Sequence, residues 1–421
     1  MLLISRRTQV RAAVVAAAVL AAGVATATSA SAQGELCFGA TATITDFELD
    51  PTGEYDRIYT GTDGNDVIIG AGEDDRIDGL GGNDRICGLG GFDDLSGGSG
   101  NDKMDGGDGN DVVVGDVSLL EGDITERPGN DVLEGGPGED LVVGDHSTDV
   151  GSITANGGND VLTDVSNSTE PDAIGDLFVG DNISGVDGGV TGNGGNDTLF
   201  DGGGENDIMV GDHTAVEGGN VSGRGGNDKI TEVGGEVSFL FGDHVSFEVG
   251  GNGGTVIGDA GNDVVTKTTG HASWMIGDHA ASLLADGKGG NDRINGPDGG
   301  TGTVTGDHYG LDAVDSATNS RNSGSDLITL GDAPDGVSPF SAAVVAGDNI
   351  NESANPPVGG GNDLIRTGDG NEVLILAGPG NDNVDAGPGD DGIDGGDGND
   401  RCDGGPGDNT AVACEATLNV P

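Results

Sequence analysis

The chain has 421 residues, 87 of them Gly, and carries 74 acidic against 16 basic side chains, a formal charge of -58. With only 3% aromatic residues it cannot build the core of an ordinary globular domain of this length, and its charge argues against nucleic acid and anionic membrane surfaces as partners. Low hydrophobicity with charge of one sign leaves two states: a disordered chain, or one that cations neutralise and order.

Residues 1–32 read as an export signal. Arg6, Arg7 and Arg11 flank an apolar run, 12–25, that is too short to span a bilayer, and Ala30-Ser31-Ala32 fits the small-residue cleavage rule, placing Gln33 at the mature N-terminus. Ser5-Arg6-Arg7 has twin-arginine character, but Gln9 stands where that pattern prefers an apolar residue, which favours the general secretory route. Cleavage would remove three arginines and no acid. No second apolar run occurs, so no membrane span is expected. Residues 33–60 then form an N-terminal cap ending in EYDRIYT.

From Gly61 the chain divides into nines: GTDGNDVII, GAGEDDRID, GLGGNDRIC, GLGGFDDLS, GGSGNDKMD, GGDGNDVVV. Position 1 is always Gly. Position 6 is always Asp (Asp66, Asp75, Asp84, Asp93, Asp102, Asp111). Position 8 is always apolar (Ile68, Ile77, Ile86, Leu95, Met104, Val113). Gly lets the backbone turn its carbonyls inward. Ca²⁺ takes six to eight oxygens, and stacked turns supply them at the ~4.8 Å spacing of strands. One apolar residue in nine cannot make a core alone, but a column of them can.

These units resemble the RTX, or haemolysin-type calcium-binding, nonapeptide GGxGxDxUx. The resemblance implies an all-β fold, a right-handed parallel β-roll or β-helix solenoid, with Ca²⁺ as cofactor held between turns by Asp carboxylates and backbone carbonyls. Asp66, Asp84 and Asp102 would line one edge of the roll, and Asp75, Asp93 and Asp111 the other.

After the regular region, 61–116, the plan changes. Over 117–357, Gly-Gly-Asn-Asp-type anchors recur at Asp131, Asp160, Asp197, Asp228, Asp263, Asp292 and Asp326, continuing to Asp363, with separations of 29, 37, 31, 35, 29, 34 and 37. An apolar-x-Gly-Asp signal falls between them at Asp116, Asp145, Asp181, Asp212, Asp243, Asp278, Asp307 and Asp348. The residue five before each of these is Asp in the early units (Asp111, Asp140, Asp176, Asp207), then Ser238, Ser273, Gly302 and Ala343. Each coil therefore holds one short turn and one expanded turn of roughly twenty residues that reads as paired strands with Gly tips. The middle is an expanded-coil solenoid whose ion sites on the short-turn side weaken toward the C-terminus.

Nonapeptides return over 358–403, with Asp363, Glu372, Asp382, Asp391 and Asp400 in the ligand column, and 404–421 closes the chain as a cap in which Asn409 replaces the aspartate. The expected metal ligands are thus Asp66, Asp75, Asp84, Asp93, Asp102, Asp111, Asp131, Asp140, Asp160, Asp176, Asp197, Asp207, Asp228, Asp263, Asp292, Asp326, Asp363, Asp382, Asp391 and Asp400.

Four cysteines, Cys37, Cys87, Cys402 and Cys414, allow three connectivities. One bridge at each end, Cys37–Cys87 and Cys402–Cys414, would oppose the fraying of solenoid termini. An N-terminal signal and cysteines depart from the toxin branch of the family and look more like the small secreted repeat proteins of Gram-positive bacteria.

Five of six histidines follow Gly-Asp: His146, His213, His244, His279 and His308. Stacked coils would align them in a ladder, read either as packing or as a transition-metal or pH-sensitive stripe. The Gly-Asp carboxylates, Asp116 to Asp348, read either as a third ion column or as acceptors for backbone amides. No zinc-protease or nucleophile-elbow motif occurs, and Arg224, Lys229, Lys267 and Lys288 are too scattered to suggest a polysaccharide-cleaving groove. The sequence therefore points to no enzyme. It points to a secreted, extracellular protein that folds on binding Ca²⁺ and serves as a structural or interaction scaffold, with a protein or glycan partner. An extracellular calcium buffer is the alternative.

Overall fold

A computed structural model describes residues 26–28 and 36–420, apart from 165–174, 187, 204–206, 217–218, 235–237, 248–253, 271, 298–300, 311–316, 321–322, 333–343, 350–359 and 371–373. Nearly all of the expected export signal, Glu372 and Ala343 lie outside the described residues.

The chain winds as a parallel β-solenoid. Among the described residues it forms sheets of 16, 14, 7 and 6 strands, and no helix. In the regular region one coil is two nonapeptides. Val67–Ala71 pairs in parallel with Arg85–Gly90, with Ile68 opposite Ile86, and Arg57–Thr62 pairs with Asp75–Leu80, with Tyr59 opposite Ile77. Alternate nonapeptides therefore feed opposite faces, one the 14-stranded and the other the 16-stranded sheet. The repeat needs glycine where coils touch. A Cβ on Gly100 would lie 1.4 Å from the Gly82 carbonyl oxygen, and its φ of +144° is open to Gly but strained for other residues.

Position 8 of every unit points inward. Ile68, Ile86, Met104, Leu133, Leu162, Leu199 and Ile230 stack from one face, and Ile77, Leu95, Val113, Val142, Phe178, Met209 and Leu240 from the other, all fully or almost fully buried in one core. The interior is thin, one apolar side chain per strand, but it is continuous from Tyr59 to Cys402.

The expanded coils add two strands rather than a loop. After the strand at Leu141–Val143, the chain runs through Gly-Asp-His into Ser147–Val150, turns at Gly151, and returns as Ile153–Thr154. Stacked over successive coils, these give the 7- and 6-stranded sheets. A second core lies with them, built of small side chains such as Ile153, Val190, Ala215, Val221, Val256 and Ala285. Leu133, Leu162, Leu199, Ile230 and Val265 remain in strict register although their coils differ in length, because the extra residues are absorbed away from the main core.

At the N-terminal end, Asp46–Glu48 pairs antiparallel with Thr26–Thr28 and, through Glu48, with Ile58, covering the first parallel strand. Disulfides join Cys37 to Cys87 and Cys402 to Cys414.

Because each layer of the core holds so few side chains, one truncation is felt fully. Phe178→Ala should cost ~3–5 kcal/mol, measured by denaturant unfolding in saturating calcium. A loss below ~1 kcal/mol would show that the central layer does not depend on this packing.

Candidate calcium sites

The twenty aspartates expected as ligands fall into two columns, and each column is built by the same bond. In the first, the amide N–H of one aspartate donates to Oδ1 of its equivalent one coil on, at 2.6–2.9 Å, from Asp66 through Asp84, Asp102, Asp131, Asp160, Asp197, Asp228, Asp263, Asp292, Asp326, Asp363 and Asp382 to Asp400. In the second, the same bond links Asp75, Asp93, Asp111, Asp140, Asp176 and Asp207 at 2.7–2.9 Å. Asp391 resumes the second column, its amide donating to Asn409 Oδ1. All twenty are buried.

One oxygen per carboxylate is thus spent on the backbone, and the other is left over. Oδ2 of every first-column aspartate from Asp84 to Asp400, and of Asp93, Asp111, Asp140 and Asp207 in the second, has no hydrogen-bond partner among the described residues. Most of these oxygens face glycine. A Cβ on Gly88 would lie 2.2 Å from Asp93 Oδ2 and 2.5 Å from the Gly106 carbonyl oxygen of the next coil, and one on Gly79 would lie 2.5 Å from Asp84 Oδ2 and 2.4 Å from the Gly97 carbonyl oxygen. Each glycine therefore keeps open a small cradle lined by a carboxylate oxygen and a backbone carbonyl. A hard, oxygen-seeking divalent cation fits this donor set.

Without a cation these columns are electrostatically unfavourable. Burial and the neighbouring Asp111 push Asp93 up to about 9, burial and Asp160 push Asp131 up to about 9, and burial pushes Asp102 up to about 7. Burial and its neighbours Asp160 and Asp116 raise Asp145 well above the ordinary carboxylate range.

The Gly-Asp aspartates hold backbone amides. Asp116, Asp181, Asp212 and Asp243 each accept the amide of a glycine in the next Gly-Asn-Asp turn (Gly129, Gly195, Gly226 and Gly261) with both oxygens, at 3.0–3.2 Å. This fastens the expanded part of the coil to the first column. Their oxygens also approach that column closely enough to share an ion, as in Asp145, Asp160 and Asp181, or Asp181, Asp197 and Asp212.

The histidine ladder is real and buried. His213, His244, His279 and His308 stack with ring centroids 4.8–5.0 Å apart and planes within 10° of parallel. Asn182 and Asn349 occupy the same place in neighbouring coils: Asn182 contacts His213 Nδ1, and Asn349 Oδ1 accepts the His308 amide. Burial drops His213 to about 3 and His308 to about 4, so the imidazoles stay neutral near pH 7 and pack rather than switch.

Sequence reasoning missed how the columns end. Thr62 satisfies Asp66 Oδ2 with its amide and hydroxyl, and Arg57 lies 3.7 Å from Asp75 Oδ1. At the other end Glu415 accepts the Asp400 amide. Asn409 does not simply drop out of its column. Its Oδ1 continues the ladder, while its amide nitrogen, in place of an unpaired oxygen, donates to the Gly404 and Gly405 carbonyls. Also missed was a row four residues after the Gly-Gly-Asn-Asp aspartates: Asp164, Asp201, Glu232 and Lys267, all buried. The readable signal was a charged residue where Gly106 and Gly135 stand in earlier units.

This geometry defines a calcium-binding repeat protein of the β-roll class. The family model described as RTX calcium-binding nonapeptide repeat (4 copies) matches residues 60–95, 88–117, 127–150, 190–212, 358–378 and 376–411, so the chain carries RTX repeats at both ends and in coils between them. No curated protein and no solved structure matches the chain. Among the described residues no helix is long and apolar enough to cross a membrane.

The raised carboxyls set a pH dependence. In chelator, a group lifted from 3.8 to about 9 supports the fold fully below pH ~4 and withdraws that support as pH rises toward about 9, because the unfolded chain ionises first. Acidifying the calcium-free chain from pH 8 to pH ~4 should therefore increase β-type circular dichroism. Loss of β signal over that range would contradict the burial of these groups.

Proposed function

We propose that the chain is an exported protein whose buried aspartate columns take up Ca²⁺ outside the cell, and that the rod so ordered is a structural or interaction scaffold. One observation carries this reading: an unpaired, buried carboxylate oxygen recurs in nearly every coil, in most of them beside a glycine cradle and a carbonyl from the next coil. Calcium supplies the positive charge that such a column lacks. Asp84 through Asp400 on one edge, and Asp93 through Asp207 on the other, would hold it.

In a low-calcium cytosol, repulsion along these columns keeps the chain extended and fit for export. Outside, calcium at roughly millimolar levels lies within reach of extracellular modules, and binding energy appears as folding energy. The cysteine bridges and the charge and apolar pattern of residues 1–32 support the extracellular setting. A buffer must release its ions without losing its fold. Here the cradle oxygens lie between stacked coils, so release opens the coils, which favours the scaffold over the buffer. A polysaccharide-cleaving site would need a free base beside calcium. Lys267 is buried against Glu232, and Lys288 pairs with Asp259, which leaves that reading without support from either residue.

The outward face of the 6-stranded sheet, where Thr154, Thr191 and Ile257 are exposed, is the surface offered to a partner. A stack of about fourteen coils at ~4.8 Å makes a rod of roughly 60 Å. Chelation should abolish the β-type dichroism at pH 7 and expand the chain in X-ray scattering, with readdition of calcium restoring both. An equally compact, β-rich protein in EDTA would sink the reading. Export predicts a mature chain beginning at Gln33, which N-terminal sequencing of the secreted product checks.

A further inference from the structure

The row that breaks the nonapeptide rule forms a site of its own. Asp201 pairs in register with Glu232, and Glu232 with Lys267. Where a glycine would keep the cradle empty, Asp201 and Glu232 send carboxylates toward the second column, which still carries Asp207. Oxygens of Asp201, Asp207 and Glu232 lie within 4.8 Å of one another. All three side chains are fully buried, and Asp201 Oδ2, Asp207 Oδ2 and Glu232 Oε2 have no hydrogen-bond partner among the described residues. One coil further on, the protein provides a cation itself. Lys267 Nζ lies 2.5 Å from Glu232 Oε1 and 2.9 Å from Ser238 Oγ, and donates to the Gly234 carbonyl. Ser238 has by then replaced the column aspartate.

We propose that Asp201, Asp207 and Glu232 form a three-carboxylate site for a divalent calcium-like cation, and that the Lys267 ammonium is the resident cation that closes this row. The inference rests on the calcium-binding reading of the repeats. A plain nonapeptide turn, as at Asp84, draws on one carboxylate and neutral carbonyls, whereas this site gathers three carboxylates, as do Asp140, Asp164 and Asp176 one coil earlier and the Gly-Asp clusters on the first column. Ligand charge tunes calcium affinity over orders of magnitude, so these three-carboxylate sites fill before the plain turns. In the next coil the second column holds Ser238 in place of aspartate, and a tethered ammonium satisfies the last carboxylate where a free ion would be held too weakly.

The test is calcium titration of the full chain in chelator-buffered solutions, with bound ions counted by atomic emission. Asp201→Gly restores the residue that the repeat uses at this position. It should remove one ion from the tightest class, or weaken that class by at least about tenfold, and leave the weaker class unchanged. Asp201→Asn, which keeps the shape, should do the same and serves if the glycine variant fails to fold. Lys267→Glu should bind one ion more than the wild type, whereas a merely structural ion pair would give instability and no added ion. Tight-class binding by both Asp201 variants that matches the wild type overturns the site, and no added ion in Lys267→Glu overturns the role of the lysine. A wild-type chain that binds no calcium at all would instead sink the broader reading.

Discussion

The controlling constraint is the repulsion between carboxylates that the backbone forces into line. Each aspartate sits one strand spacing from its equivalents, ~4.8 Å above and below, and each spends one oxygen on the amide of the coil before it. That bond fixes the register of the whole rod and also removes water from the second oxygen. The fold therefore creates the charge problem in the act of stacking. Solvent cannot relieve it, since these aspartates are buried, and protonation relieves it only at the cost of carboxyls raised as high as about 9, as at Asp93. A cation in the glycine cradle would relieve it at neutral pH.

The same constraint explains the ends. A column of unpaired oxygens must stop somewhere, and at three of its ends this chain stops it with a donor of its own. Thr62 closes the first column at Asp66, Asn409 closes the second with an amide nitrogen, and Lys267 closes the inserted row with an ammonium. Protein donors at the termini and ions between them are two solutions to one problem.

The columns were legible in the sequence because their cause is local. A glycine at position 1 and an aspartate at position 6, repeated every nine residues, already specify a turn with an inward oxygen. Stacking then follows from the single apolar side chain at position 8. The added strands were legible as paired strands, since a Gly-Asp turn and a Gly-Gly-Asn-Asp-type turn bracket them in each expanded coil. Their separate core was harder to foresee. It is made of alanine and valine such as Ala215, Ala281 and Val221, residues too small to stand out against a glycine-rich background. The caps were illegible for another reason. Asn409 is a lost ligand when read along the chain, and only the stacked geometry shows that its oxygen keeps the ladder while its nitrogen replaces the ion.

The interior also shows why charge and apolar burial cannot be separated here. Each coil gives the main core about two side chains, such as Leu162 with Phe178, and buried acids beside them, in that coil Asp160, Asp164, Asp176 and Asp181. The apolar column sets which strands meet, and under the proposed reading cations decide whether they stay together. On that reading the rod is conditional, a stack with its register written into the backbone and its cohesion left to calcium.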